Sequence, residues 1–265
     1  MLTAKRYVKI WLRLAAMSFA EVWATRVNSL GWFLGKVIRL VFFLIFIMAI
    51  FKHTQTIQGY TLPQAILFFL TFNLVDLCAQ LFFRGIYGIK RIVTEGELDY
   101  YLLQPINPLF RISSQTVDFL DLLTAIPVVV ATFYLIAHFP QAIAAPLHIA
   151  LYALLVINGV AIAFAIHVIV AAIAIATQQL ENTIWVYRDL MILGRFPIDI
   201  YSKGVRAVLT FAIPIAVMTS FPAKALLGTL TWQWMGFAFV LAGLFLTGSL
   251  KLWNFSLSRY SSVSS

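Results

Sequence analysis

The sequence predicts an all-α polytopic membrane protein, and three observations carry that expectation. Of its 265 residues, 62% are hydrophobic and 11% charged, with a mean hydropathy of +0.93. So few polar side chains cannot cover a soluble globule, so part of the surface must meet lipid. Five apolar runs, residues 31–51, 62–84, 118–139, 147–176 and 231–251, match the length of about 20 residues with which a helix crosses hydrocarbon. Finally, the basic residues of the first half collect in alternate segments between these runs, as they do when one side of a membrane is cytoplasmic.

Residues 1–27 read as a cytoplasmic amphipathic helix lying along the headgroups. Over 5–23, Trp11, Leu14, Ala15, Ser18, Phe19 and Val22 recur at helical spacing, with Arg6, Lys9 and Arg13 on the opposite side. A simple membrane anchor and a partner-contacting element fit this pattern equally. The basic start resembles a signal peptide, but Arg13, Glu21 and Arg26 interrupt any apolar stretch and no small-residue cleavage site follows, so retention is expected.

In the first run, Lys36 and Arg39 share a face and are expected to snorkel to the headgroups or to contact the acidic loop. In the second, Asn73, Asp76 and Gln80 fall on one face that should point into protein or a watery path. Asp121 in the third run and His167 in the fourth are candidates to pair with them. Such a set either lines a substrate path or forms an interhelical polar cluster, the latter worth about 0.6 kcal/mol per hydrogen bond. Cys78 is the single cysteine, so no intrachain disulfide or cysteine zinc cluster is available.

Residues 85–117 form a polar loop between the second and third runs, containing TEGELDYYLLQPINPL. Lys90, Arg91 and Arg111, with Arg84 at the edge, place this loop and the basic N-terminus in the cytoplasm; between runs one and two the only Lys or Arg is Lys52. Thr94 and Glu97 have capping-box spacing, predicting a helix from about Glu95 with Glu95, Glu97 and Asp99 against its dipole. Pro105 should end it by Leu103, and Pro108 should prevent an early restart. A helix of two to three turns is marginal alone, so it must dock on something. A soluble partner protein and this chain's own loop residues are the two hosts weighed, since anionic lipid would repel its acidic face.

The fourth run is about 45 Å long as a helix and should tilt, bend or project, with Gly159 a possible bend. Residues 178–196 are long enough to span but contain Glu181, Arg188 and Asp189, each costing about 2.5–3.5 kcal/mol at mid-bilayer. Residues 205–221 are more apolar but short and interrupted by Pro214, which suits a re-entrant or broken element. Charge counting alone keeps 178–204 cytoplasmic, with Arg188, Arg195 and Lys203 inside. Residues 254–265 are expected to be a flexible cytoplasmic tail.

Several chemistries are excluded. Gly35-Lys36 is followed by Val37 and lacks the glycine five positions before Gly35, so the chain has no nucleotide-binding loop of that kind. No H-E-x-x-H or G-x-S-x-G occurs, which leaves no catalytic residues to nominate. His53, His138, His148 and His167 are widely separated, so no metal site is expected. The net charge of +9 is distributed around membrane segments without a compact basic domain, which argues against nucleic acid.

A basic amphipathic helix, two spans and then GELDYYLLQPINPL resembles the membrane subunit of a type-2 ATP-binding cassette exporter, in the branch whose loop reads G-x-L-D-x-x-L-L-x-P-x-x-P. The pattern is carried by Gly96, Leu98, Asp99, Leu102, Leu103, Pro105 and Pro108, and a second match by FPIDIY, AIP and FPAKALLG. The resemblance implies a single permease domain over 1–265 in the cell membrane, with six spans and both termini cytoplasmic. It implies that Thr94, Gly96, Glu97, Asp99, Tyr100 and Gln104 form a coupling helix seated in a separate ATPase subunit, which binds the ATP and Mg; the chain itself carries no cofactor. A second membrane subunit, the same chain or a related one, completes the path alongside membrane lipids. It further implies that 178–196 is the fifth span and 197–228 an external re-entrant hairpin involving Phe196, Pro197, Tyr201, Pro214 and Pro222, with Lys203, Arg206 and Lys224 outside. The competing reading is a proton-coupled carrier using Asp76 and His167 as relay groups, although no internal repeat is visible. An intramembrane enzyme would need a nucleophile and base that the sequence does not offer.

Overall fold

The computed structural model describes residues 4–139, 145–177 and 183–261, and these are helical almost throughout. Among them the sole extended pairing is an isolated bridge between Ile57 and Tyr60. Five helices are long and apolar enough to cross a membrane: α2 (Arg26–Phe51), α3 (Leu62–Phe83), α7 (Phe119–His138), α8 (Pro146–Thr177) and α12 (Trp232–Ser258). A sixth crossing is reached if two shorter limbs, Lys203–Ala212 and Ala216–Leu226, bent by 85° to each other, count as one.

The centre of the bundle is α8, which packs along α12, α3 and the Phe221–Leu226 helix. It stays one continuous helix past Gly159, which serves close packing instead of the expected bend. A Cβ there would lie 2.5 Å from the Met218 carbonyl, so only glycine lets the two backbones approach. Burial follows position: about three-fifths of the apolar window of α8 lies inside the protein, but 6% of that of α2. Along α2, Leu34, Ile38, Phe42 and Ile45 face outward, while Ile47 is fully buried.

The amphipathic helix α1 (Ala4–Ala24) forms as expected and leads into α2 through a turn at Thr25. Its buried stripe includes Leu14 and Ser18; the Ser18 hydroxyl accepts from Val117 N at 3.1 Å, and Tyr7 meets Phe110 edge to face. Thus the predicted face lies on this protein, Phe19 included, whose half-exposed ring packs edge to face on Phe119 at 4.7 Å, while Leu12 and Trp23 turn outward in a second apolar strip. At the other end α12 runs seven residues beyond Lys251, through Ser258, so the start of the expected flexible tail is helical. Residues 262–265 lie outside the described residues.

The expected fifth span is represented by α9 (Thr183–Met191) and a tighter 3-10 turn at Ile192–Arg195, with Glu181 outside the described residues. Phe196 then turns extended ahead of Pro197. Beyond it come α10 (Lys203–Ala207), a π-helical turn, the break at Ile213 and Pro214, a second π-helical turn and α11 (Phe221–Leu226). Pro214 has no N–H to continue the first limb, but its carbonyl accepts from Met218 N at 3.1 Å and helps start the second.

Candidate functional site

The polar loop is built from α4 (Ile89–Thr94), α5 (Glu97–Leu103) and α6 (Pro108–Ser113). The predicted capping box does not form. Thr94 ends α4 and its hydroxyl donates backwards, to the Lys90 and Arg91 carbonyls, because the chain is already helical when it arrives there. Glu95 caps that helix, Gly96 reverses direction at φ +73°, and α5 begins two residues later than predicted, at Glu97. Its end is as predicted: Gln104 is extended (ψ 142°) before Pro105. Pro108, however, occupies the first turn of α6 under an Asn107 cap that accepts from Phe110 N at 3.1 Å, so it starts a helix where a block was expected.

Two faces of α5 do different things. Leu98 and Tyr101, three residues apart, are buried against Ile92, Val93 and Ile112, in a cluster that continues into Val168, Ala171 and Ile175 of α8 and Trp253 of α12. Of the two hosts weighed, the helix is therefore held from behind by its own chain, through the loop and beyond it through α8 and α12. On the opposite side Tyr100 is 65% and Leu103 85% exposed, with Leu102 partly so. Apolar side chains are thus presented from a polar loop on a helix fixed from behind, an exposure that a soluble surface ordinarily avoids.

The intramembrane polar residues are near one another but not paired as expected. Asp76, Asn73 and Asp121 line one narrow cavity of about 30 Å³, together with Lys36, Arg39 and Arg195. That is room for one or two waters. Asp121 is taken by Lys36 at 2.8 Å, and Lys36 also holds Asp118 at 2.9 Å. Lys36 thus points into the protein, neither snorkelling nor reaching the acidic helix. Asn73 donates to the Phe69 carbonyl and Gln80 to the Tyr87 hydroxyl. His167 is fully buried among Phe83, Tyr87 and Tyr187, with Nδ1 2.7 Å from the Ala163 carbonyl, and makes no hydrogen bond to Asp76. A proton relay between those two is not assembled among the described residues.

In the segment from 197 onward, a carboxylate that sequence reasoning passed over organises the fold. Asp199 takes Lys224 of α11 at 2.7 Å, Arg206 of α10 at 3.7 Å and the Tyr60 hydroxyl, which donates at 2.8 Å. Burial pushes this carboxyl upward, but the bonds and charge of Lys224, Tyr60 and Arg206 outweigh it and hold the pKa below the usual value. Tyr60 is pushed upward by burial and by the same carboxylate. The visible signal was one acid in the apolar string FPIDIY, with Lys203, Arg206 and Lys224 downstream. Tyr201 donates to the Leu193 carbonyl at 2.8 Å, fastening the 3-10 turn to this knot, and Phe196 packs on Phe43 of α2. Pro222 sits in the first turn of α11, buried with it.

No group of three or more potential metal ligands occurs among the described residues. A comparison with curated proteins finds no match. The model of the ABC-2 family transporter proteins matches residues 37–264, which takes in the later part of α2, the four other long apolar helices and the α4–α6 loop. With several helices long and apolar enough to cross a membrane and that match over most of its length, the chain is a multi-pass transmembrane component of an ATP-binding cassette transporter and belongs to the ABC-2 family.

Proposed function

We propose that this chain is the permease of an exporter, of the branch named by its G-x-L-D-x-x-L-L-x-P-x-x-P loop, in which separate ATPase subunits bind ATP and Mg and drive α5 as a lever. The observation that carries this reading is the division of α5 into a buried face, Leu98 and Tyr101, and an exposed apolar face, Tyr100 and Leu103. Force applied to the exposed face passes through Leu98 into the cluster shared with α8 and α12. Nucleotide then biases an equilibrium between arrangements of those helices. A second membrane subunit completes the path, both termini and the α4–α6 loop are cytoplasmic, and 197–228 forms a hairpin on the outer side. Support for the hairpin comes from the 85° bend between its limbs and from the Asp199 knot that ties them.

The test is co-purification of the tagged full chain with its neighbouring gene products, followed by measurement of ATP hydrolysis and of cargo movement. Leu103→Asp is expected to lose the ATPase subunits while inserting normally. Unchanged association and transport in both Leu103→Asp and Tyr100→Ala would overturn the reading.

A further inference from the structure

We propose that an arginine-lined cavity beneath α1, at the base of the α4–α6 loop, binds the phosphate of an acidic phospholipid headgroup. The cavity has a volume of about 510 Å³ and is bounded by α1, the 3-10 turn Arg84–Gly88, α5 and α6. Arg84, Arg91 and Arg111 line it, and no Asp or Glu does among the described residues. Three guanidinium groups sharing one concavity repel one another and draw in an anion.

Their present partners leave that demand unmet. Arg84 donates to the Gln80 amide oxygen at 3.1 Å and lies 4.6 Å over the Tyr87 ring, both neutral groups, while the carboxylate whose field it shares, Asp118, is bonded to Lys36 at 2.9 Å. Arg111 sits 5.3 Å from the Tyr101 ring, and its Nη1 is buried with no acceptor among the described residues. A buried donor left unsatisfied costs about 1–3 kcal/mol, and more when charged, so the geometry calls for an oxygen ligand. Arg91 is bonded to Glu95 and Glu97 at 3.6 and 3.4 Å, but all three side chains are well exposed, so these pairs are weak and exchangeable.

The floor is rigid. Tyr101 donates to Gln115 at 2.7 Å, and Gln115 donates to the Gly85 carbonyl at 3.0 Å. A Cβ at Gly85 would collide with the Ile112 carbonyl, so only glycine brings the turn this close to α6. The wall on the other side identifies the source of the phosphate. It consists of Leu14 and Met17 of α1, Met17 being 68% exposed. The same helix turns Leu12 and Trp23 outward beside its basic residues, as a helix lying in the headgroup layer does. A lipid phosphate on the arginines can run its chains along Met17, which a free phosphate cannot use. The binding does not depend on the proposed coupling; its consequence, a lipid that ties α1 to the coupling loop, does.

Native mass spectrometry of the full chain, with phosphatidylglycerol and phosphatidylcholine of matched acyl chains, tests the site. Retention of phosphatidylglycerol is expected, falling about fivefold for each of Arg84→Gln and Arg111→Gln, and unchanged in Lys9→Gln, which removes a charge outside the cavity. If either glutamine variant does not fold, Arg111→Lys decides. It keeps the charge and loses the planar fork, so weaker retention at an unchanged melting temperature is expected. Equal retention of the two lipids, an equal loss in Lys9→Gln, or undiminished retention in Arg111→Lys overturns the site. Full displacement by inorganic phosphate overturns the lipid as its source.

Discussion

Gly96 is the residue on which the direction of α5 turns. Its φ of +73° is open to glycine and strained for other residues, and no atom lies within 4 Å of where a Cβ would be. Gly96→Ala therefore tests backbone conformation with no steric clash. It should cost about 1–2 kcal/mol locally, and is expected to uncouple ATP hydrolysis from transport while the chain still inserts; matched hydrolysis and transport rates would check it. Asp199 is the other decisive residue. Asp199→Asn leaves Lys224 and Arg206 without their carboxylate, and a loss of about 1–3 kcal/mol is expected, read as a lower melting temperature. Because the folded pKa of Asp199 is depressed, its contribution is present above the ordinary carboxylate pKa. That contribution is lost as pH falls through the folded value, so wild type and Asp199→Asn should converge in strong acid.

At the scale of elements, α5 and α8 show how little of a helix's role is written in its propensity. Seven residues are too few to hold alone, yet α5 is pinned by Leu98 and Tyr101. Leu98→Ala is expected to cost about 2–5 kcal/mol, whereas Leu103→Asp, on the exposed face, should leave the melting temperature unchanged and affect only association with ATPase subunits. Hydrogen exchange on the isolated chain in lipid should find the amides of α5 protected before any partner is added. For α8, Gly159→Leu drives a side chain into the Met218 backbone. A loss of about 1–3 kcal/mol by overpacking is expected, checked by thermal unfolding.

Taken whole, the molecule is lopsided. With α3 and α8 buried in the middle and α2 nearly unpacked along Leu34, Ile38, Phe42 and Ile45, one flank is finished by lipid or by another subunit. The proposed second membrane subunit fits that flank. A cysteine at Phe42, with Cys78 replaced by Ser, is expected to crosslink between membrane subunits, and one at buried Leu155 is not; gel mobility after oxidation reads the difference.

The five spans and the end of α5 were legible in the sequence, since run length and proline chemistry act locally. So was the basic, amphipathic character of α1. The bent pair was legible in part, from Pro214. The capping box misled because Thr94 and Glu97 match that spacing whether or not a preceding helix already occupies the threonine, as α4 does. Which cation meets which acid was not legible either. Lys36 with Asp118 and Asp121, Asp199 with Lys224, and the three arginines under α1 are separated along the chain, and their meeting depends on how α2, α7 and α11 are packed. Composition and period determined that this is a helical membrane protein with a short helix in a polar loop. Tertiary packing alone decided what that helix rests on, because contacts between distant segments are set by the three-dimensional arrangement of faces.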